Sequence, residues 1–117
     1  MIYLAGPFFN EEELKVIQRA EQILLGRGFE IYSPRLHEDR EHEFQSSQWS
    51  AETFRMDRDA IDKSDLVLMI YHGNYSDTGT AWECGYAHAK GKPIVVVHAH
   101  LLHNLQLTLA TPACSSV

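Results

Sequence analysis

A chain of 117 residues with 44% apolar side chains is long enough for one core and one domain, 1–117, and it contains no apolar run near the roughly 20 residues that a membrane-crossing helix requires. Sixteen acidic against ten basic side chains give a net charge of −6, which argues against a nucleic-acid backbone as the partner, since that needs a basic face. Two cysteines, Cys84 and Cys114, make no disulfide framework, and the amino terminus shows no signal-peptide pattern, so a reducing, cytoplasmic location is expected.

Ile2 to Ala5 reads as a short strand that breaks at Gly6-Pro7-Phe8-Phe9. Asn10, with Glu13 three residues on, is a helix-start signature, and Leu14, Ile17, Ala20 and Leu24 recur at helical spacing up to a stop at Gly26–Gly28. Glu30 to Tyr32 predicts a second strand before Ser33-Pro34. The charged stretch 35–48 has no sustained period and reads as a long surface loop. Ser50 is the expected cap of a helix running to about Lys63, whose apolar face carries Phe54, Asp57 and Ile61 together. A carboxylate on that face needs a partner or a purpose.

Leu66 to Ile70 is a continuous apolar run, as in a strand covered on both faces, and 71–76 is a polar loop. Asp77 then caps a helix closed by Gly91 and Pro93. Its small residues, Gly79, Ala81, Gly85, Ala87 and Ala89, predict close seating on a sheet. Glu83 lies in its second turn, where the positive end of the helix favours an ionised acid. Pro93 to Val97 is a further apolar strand. From Pro93 to Val117 there is no Asp, Glu, Lys or Arg, and Leu101, Leu102, Leu105 and Leu109 suggest a short helix in an end buried by the sheet or by another subunit; a subunit contact is expected there. Strands alternating with helices predict an α/β fold with a parallel sheet, and ligands in such folds bind beyond the carboxyl ends of the strands. Tyr3, Asp57, Asp77 and Glu83 can meet there.

The first turn holds Gly6 alone, so neither a dinucleotide fingerprint nor a P-loop is present, and no cofactor is expected. His98, His100 and His103 lack a nearby cysteine or carboxylate and read as loop histidines; no metal is expected. His37 and His42 sit among acids and read as solvated, and Cys84 reads as packing. Carboxylate chemistry is the stronger reading. Cleaving a glycosidic bond passes through an oxocarbenium-like transition state, which one carboxylate captures while a second acid protonates the leaving group. Glu83 with Asp57 or Asp77 suits these roles. The structural alternatives are an Asp77 that only caps, an Asp57 paired with a neighbouring arginine, a solvated Glu83, and a Tyr3 that is a core aromatic.

Three stretches, Ile2-Tyr3-Leu4-Ala5-Gly6-Pro7-Phe8-Phe9, Asp57 to Asp65 before an apolar strand, and Asp77-Thr-Gly-Thr-Ala-Trp-Glu-Cys-Gly-Tyr-Ala, resemble in order and spacing the nucleoside 2-deoxyribosyltransferase family over about residues 1–98. The resemblance implies a flavodoxin-like three-layer sandwich with a mostly parallel central sheet. It implies Glu83 as a nucleophile that forms a covalent deoxyribosyl-enzyme, Asp57 and Asp77 as the residues that bind and protonate the base, and Tyr3 as the residue that orients the nucleophile. Gly6, Pro7, Phe8 and Phe9 of the first loop, with Gly79, are then the expected substrate-binding residues. The implied partners are a deoxynucleoside and a free nucleobase, in a homo-oligomer whose sites a neighbouring subunit completes. Family members carry an asparagine and further residues after the last matched strand that hold the sugar 5′-hydroxyl; Asn104-Leu105 resembles the start of that segment, and the later asparagine is missing before the end at Val117. Two other readings stay open. One is a hydrolase of nucleosides or nucleotides, with Arg35 and Arg40 reaching a phosphate; the other is a nucleoside-binding relative without turnover.

Overall fold

Strand β1, Ile2–Ala5, shows how the layers are built. Its side chains alternate: Ile2 and Leu4 join one buried cluster, Tyr3 and Ala5 another, so the strand is covered on both faces. The computed structural model describes residues 1–37, 41–73, 77–103 and 114–116. After β1 come α1 (Glu11–Gly26), β2 (Ile31–Tyr32), a 3₁₀ turn (Pro34–Leu36), α2 (Ser47–Lys63), β3 (Leu66–Tyr71), α3 (Thr78–Ala89), β4 (Ile94–His98), a second 3₁₀ turn (Ala99–His103) and β5 (Cys114–Ser116).

The strands form one sheet in the order β2-β1-β3-β4-β5, and every pair is parallel. On one face, Val16, Ile17, Ala20 and Leu24 of α1 pack with Ile2, Leu4, Leu68, Ile70, Val95 and Val97, and Leu102 closes that layer. On the other, Ala60 and Ile61 of α2 and Ala87 of α3 pack with Tyr3, Ala5, Val67 and Ile94. This is the flavodoxin-like three-layer α/β sandwich. α1 starts where its sequence signature says. The Asn10 side chain accepts from the Glu13 amide at 2.8 Å, and the Glu13 carboxylate in turn takes the Phe9 amide at 2.9 Å, which ties the loop after β1 to the helix.

Gly6 follows β1 with no room for a side chain: a Cβ there would lie 3.0 Å from Cβ and 3.2 Å from Cγ1 of Ile70. Gly6→Ala is therefore expected to destabilise the fold by about 1–3 kcal/mol, as overpacking does. A denaturant titration with unchanged m-value checks this.

Three expectations need correction. α2 begins at Ser47, not after Ser50, because Ser46 in extended backbone accepts the Trp49 amide at 3.1 Å and caps the helix one turn earlier. The stretch 35–48 is accordingly no continuous loop, since the 3₁₀ turn occupies its start. The uncharged end also contributes a strand, with Cys114–Ser116 paired in register with Ile94, Val95 and Val96. Backbone pairing at the edge of β4 thus accounts for part of that segment. The helix expected through Leu105 and Leu109 falls largely outside the described residues; Ala99–His103 is a 3₁₀ turn. Among the described residues no helix is long and apolar enough to cross a membrane.

Candidate active site

α3 leaves the carboxyl end of β3 through Asp77. One oxygen of that side chain, Oδ1, accepts the amides of Gly79 at 2.9 Å and Thr80 at 3.2 Å, which is the cap expected of it. A Cβ on Gly79 would sit 3.1 Å from the same oxygen, so the bare residue lets the carboxylate close over the helix start. The other oxygen, Oδ2, is buried without a hydrogen-bond partner among the described residues. Capping and a ligand contact can therefore coexist on one side chain, one oxygen each.

The buried face of α3 is Thr80, Glu83 and Ala87. Glu83 is only 7% exposed, and the hydroxyl of Tyr3, fully buried on β1, donates to its Oε2. The small residues do less than expected: Ala81, Gly85 and Ala89 lie on the outer face, and only Gly79 and Ala87 permit close contact. Asp57 projects from α2 one turn before the buried Ile61. The neighbouring guanidinium of Arg58 turns to Asp59, at 3.2 Å, and not to Asp57.

A cavity of about 590 Å³ lies between these elements. Gly6, Pro7, Phe8, Phe9, Asp57, Asp77, Gly79 and Glu83 line it, and Tyr3 supports Glu83 from the sheet. The expected site residues are thus brought together. Its other walls were not foreseen. Trp49, Thr53 and Met56 share one face of α2 with Asp57, while Phe44 meets the Trp49 ring edge-on at 4.8 Å. The helical spacing of Trp49 to Asp57 would have revealed this wall had the helix been started at Ser47. Trp82, next to Glu83 and packed on Phe54 at 4.8 Å, lines the cavity as well. His37 joins them, stacked on Tyr32, which stacks on Tyr3 in turn.

Burial decides the electrostatics. It pushes Glu83 up to about 8; the Tyr3 hydrogen bond works against this, and the charges of Asp57 and Asp77 add to it. Asp57 is pushed up to about 7, again by burial. The expectation that the helix start keeps Glu83 ionised is corrected: desolvation of a carboxylate sealed beside two others outweighs the dipole. Tyr3 is raised well above the ordinary phenol range by burial and by Glu83, so it stays a proton donor, and Tyr32 is raised to about 12.

Among the described residues no lysine or arginine lines the cavity. Arg35 is committed elsewhere. Its Nε donates to Glu21 Oε2 at 2.8 Å and its Nη2 to Oε1, while the Ser33 hydroxyl bonds the same carboxylate at 2.6 Å. It does not line the cavity, as the alternative nucleotide reading would have it, and Arg40, the other arginine of that reading, lies outside the described residues. His98 contacts the Tyr71 and His100 rings; among the described residues no His, Cys, Asp or Glu cluster is arranged to hold a metal.

Compared with known proteins, the chain matches the family model described as nucleoside 2-deoxyribosyltransferase over residues 2–107. The chain belongs to the nucleoside 2-deoxyribosyltransferase family. A relative named nucleoside deoxyribosyltransferase, from Limosilactobacillus fermentum, is 31% identical over 106 residues, which cover 82% of this chain and 63% of the relative. The chain thus spans a little under two thirds of that protein. A solved structure of the family, the 2-deoxyribosyltransferase of Bacillus psychrosaccharolyticus, is 44% identical and superposes with a TM-score of 0.79 over 83% of this chain and 71% of its own. The CMP N-glycosidase BcmB of Clostridium botulinum, at 24% identity and a TM-score of 0.63, covers 99% of this chain and 86% of its own, and shares the family fold.

Proposed function

We propose that this chain, acting as a single domain, moves 2-deoxyribose between nucleobases through a covalent intermediate on Glu83. The observation that carries the reading is Glu83, buried at a cavity wall, held by Tyr3 and flanked by two further carboxylates. At about 590 Å³ the cavity is within the range of about 300–1,000 Å³ usual for small-molecule sites.

The chemistry requires Glu83 ionised and one acidic proton nearby. Burial pushes Glu83 up to about 8 and Asp57 up to about 7, so a proton shared by the pair rests mainly on Glu83; the reactive form, with the charge on Glu83 and the proton on Asp57, is the minor one, and the Tyr3 hydroxyl helps to populate it. In the first step Glu83 attacks the anomeric carbon as the C–N bond breaks, and the departing base keeps the bonding electrons and takes the proton from Asp57. The aromatic walls hold that base, and the free oxygen of Asp77 bonds its edge. In the second step a nitrogen of another base attacks the same carbon, the Glu83 carboxylate leaves, and the base gives its proton back to the acid. Two displacements restore the starting configuration.

We further propose a cytoplasmic homo-oligomer. Phe9, 78% exposed, and Phe44, 69% exposed, stand beside the cavity and offer apolar surface to a neighbouring subunit.

Incubation of a deoxynucleoside with a different free base, followed by separation of products, tests the proposal. A new deoxynucleoside of retained configuration is expected. Release of free sugar without any added base would make the protein a hydrolase, and tight binding with no product a silent binder. Tyr3→Phe is expected to move the rising limb of the pH–rate profile to more alkaline pH by about one to two units, because ionised Glu83 loses its donor and the nucleophile must be ionised to act. An unmoved limb would separate Tyr3 from the nucleophile.

A further inference from the structure

We propose that the Thr53 hydroxyl is a specificity-determining contact to the nucleobase bound in this cavity. The inference rests on the transfer reading above, which makes a base the occupant. Along α2, Trp49, Thr53, Met56 and Asp57 follow one another at helical spacing and all line the cavity. Thr53 sits one turn before Asp57, on the same wall.

A threonine inside a helix ordinarily settles its hydroxyl on the carbonyl one turn back or in water. The Thr53 Oγ1 is buried and has no hydrogen-bond partner among the described residues, the carbonyl one turn back included. Such an oxygen carries a desolvation cost that a bonding group on a ligand would relieve. Rotation about χ1 exchanges hydroxyl and methyl, and threonine uses more than one rotamer in helices, so the oxygen can turn to a ligand without backbone movement. Among the described residues, Asp77 Oδ2 is another buried oxygen of a cavity-lining residue without a hydrogen-bond partner. A planar molecule with polar atoms along its edge supplies partners for such groups, and a nucleobase is one. A hydroxyl both donates and accepts, so it pairs with a ring nitrogen, a keto oxygen or an amino group, and it disfavours a base that presents a C–H or an apolar substituent there.

The test compares Thr53→Val, which keeps the shape and removes the hydroxyl, with Thr53→Ser, which keeps the hydroxyl. Thr53→Val is expected to lower kcat/KM for the preferred deoxynucleoside by about 10- to 100-fold, and Thr53→Ser by no more than about threefold. The melting temperature of Thr53→Val should stay level or rise, because no hydrogen bond within the fold is lost; a merely structural threonine would show the reverse. Unchanged kcat/KM in Thr53→Val, or a loss of activity equal for all bases with a lowered melting temperature, overturns the proposal. Quenching of Trp49 and Trp82 fluorescence by free adenine, hypoxanthine, cytosine or thymine gives a readout independent of turnover. If the wild type binds a base, Thr53→Val weakens that binding and neither turns over, the transfer reading fails while Thr53 stands. If transfer proceeds and the valine variant binds and reacts normally, Thr53 fails while transfer stands.

Discussion

Glu83→Gln is expected to reduce exchange by at least about 10³-fold, because an amide of the same shape cannot capture the anomeric carbon. Mass spectrometry of intact protein mixed with a deoxynucleoside should show a deoxyribosyl adduct on the wild type and none on the variant. Full exchange by the variant would remove Glu83 from the chemistry. The same substitution should stabilise the fold at alkaline pH. Burial raises the carboxyl from 4.5 to about 8, so between those values the folded chain holds a proton that the unfolded chain releases. The stability this contributes is complete at pH values under 4.5 and is lost as the pH rises through about 8. At pH 9 the wild type therefore carries a buried charge that Gln does not, and at about 1.4 kcal/mol per unit the difference is several kcal/mol at its upper bound. Urea titrations at pH 6 and pH 9 should show a steep fall for the wild type and a flatter one for the variant. A nucleophile kept at the expense of stability is what a functional site predicts.

Asp57→Asn is expected to lower transfer by about 10²- to 10⁴-fold, the usual worth of a positioned acid. The loss should be smaller for a deoxynucleoside whose base departs readily without protonation, since only the proton is missing. A second consequence has the opposite sign to that of Tyr3→Phe. The charge on Asp57 raises the Glu83 titration, so its removal should move the rising limb of the profile to lower pH. Equal losses for good and poor leaving bases, with no movement of the limb, would leave Asp57 a binding residue and assign the proton to Asp77.

Local patterns were legible because they depend on neighbours in the chain. The short apolar run Ile2–Ala5, the Asn10 and Asp77 caps and the apolar runs of β3 and β4 each follow from side chains within a turn or two of one another, and the folded chain keeps them. Where the strands end, the carboxylates gather, so the crevice too could be anticipated from the order of elements. What depends on distant parts of the chain could not. Whether Glu83 is charged is set by how completely β1, α2 and the first loop seal it from water, not by its place on α3. Trp49 belongs to the cavity-facing side of α2 because Ser46, and not Ser50, caps the helix, a choice between two serines that local sequence leaves open. The pairing of β5 with β4 likewise joins segments separated by residues 99–113, and no periodicity in three uncharged residues announces it. Sequence alone set the elements from β1 to β4, the Asn10 and Asp77 caps and the identity of the acids; the α2 cap, the β5 pairing, burial, charge state and the cavity wall were decided only when the layers closed, because desolvation and packing are properties of the assembled core.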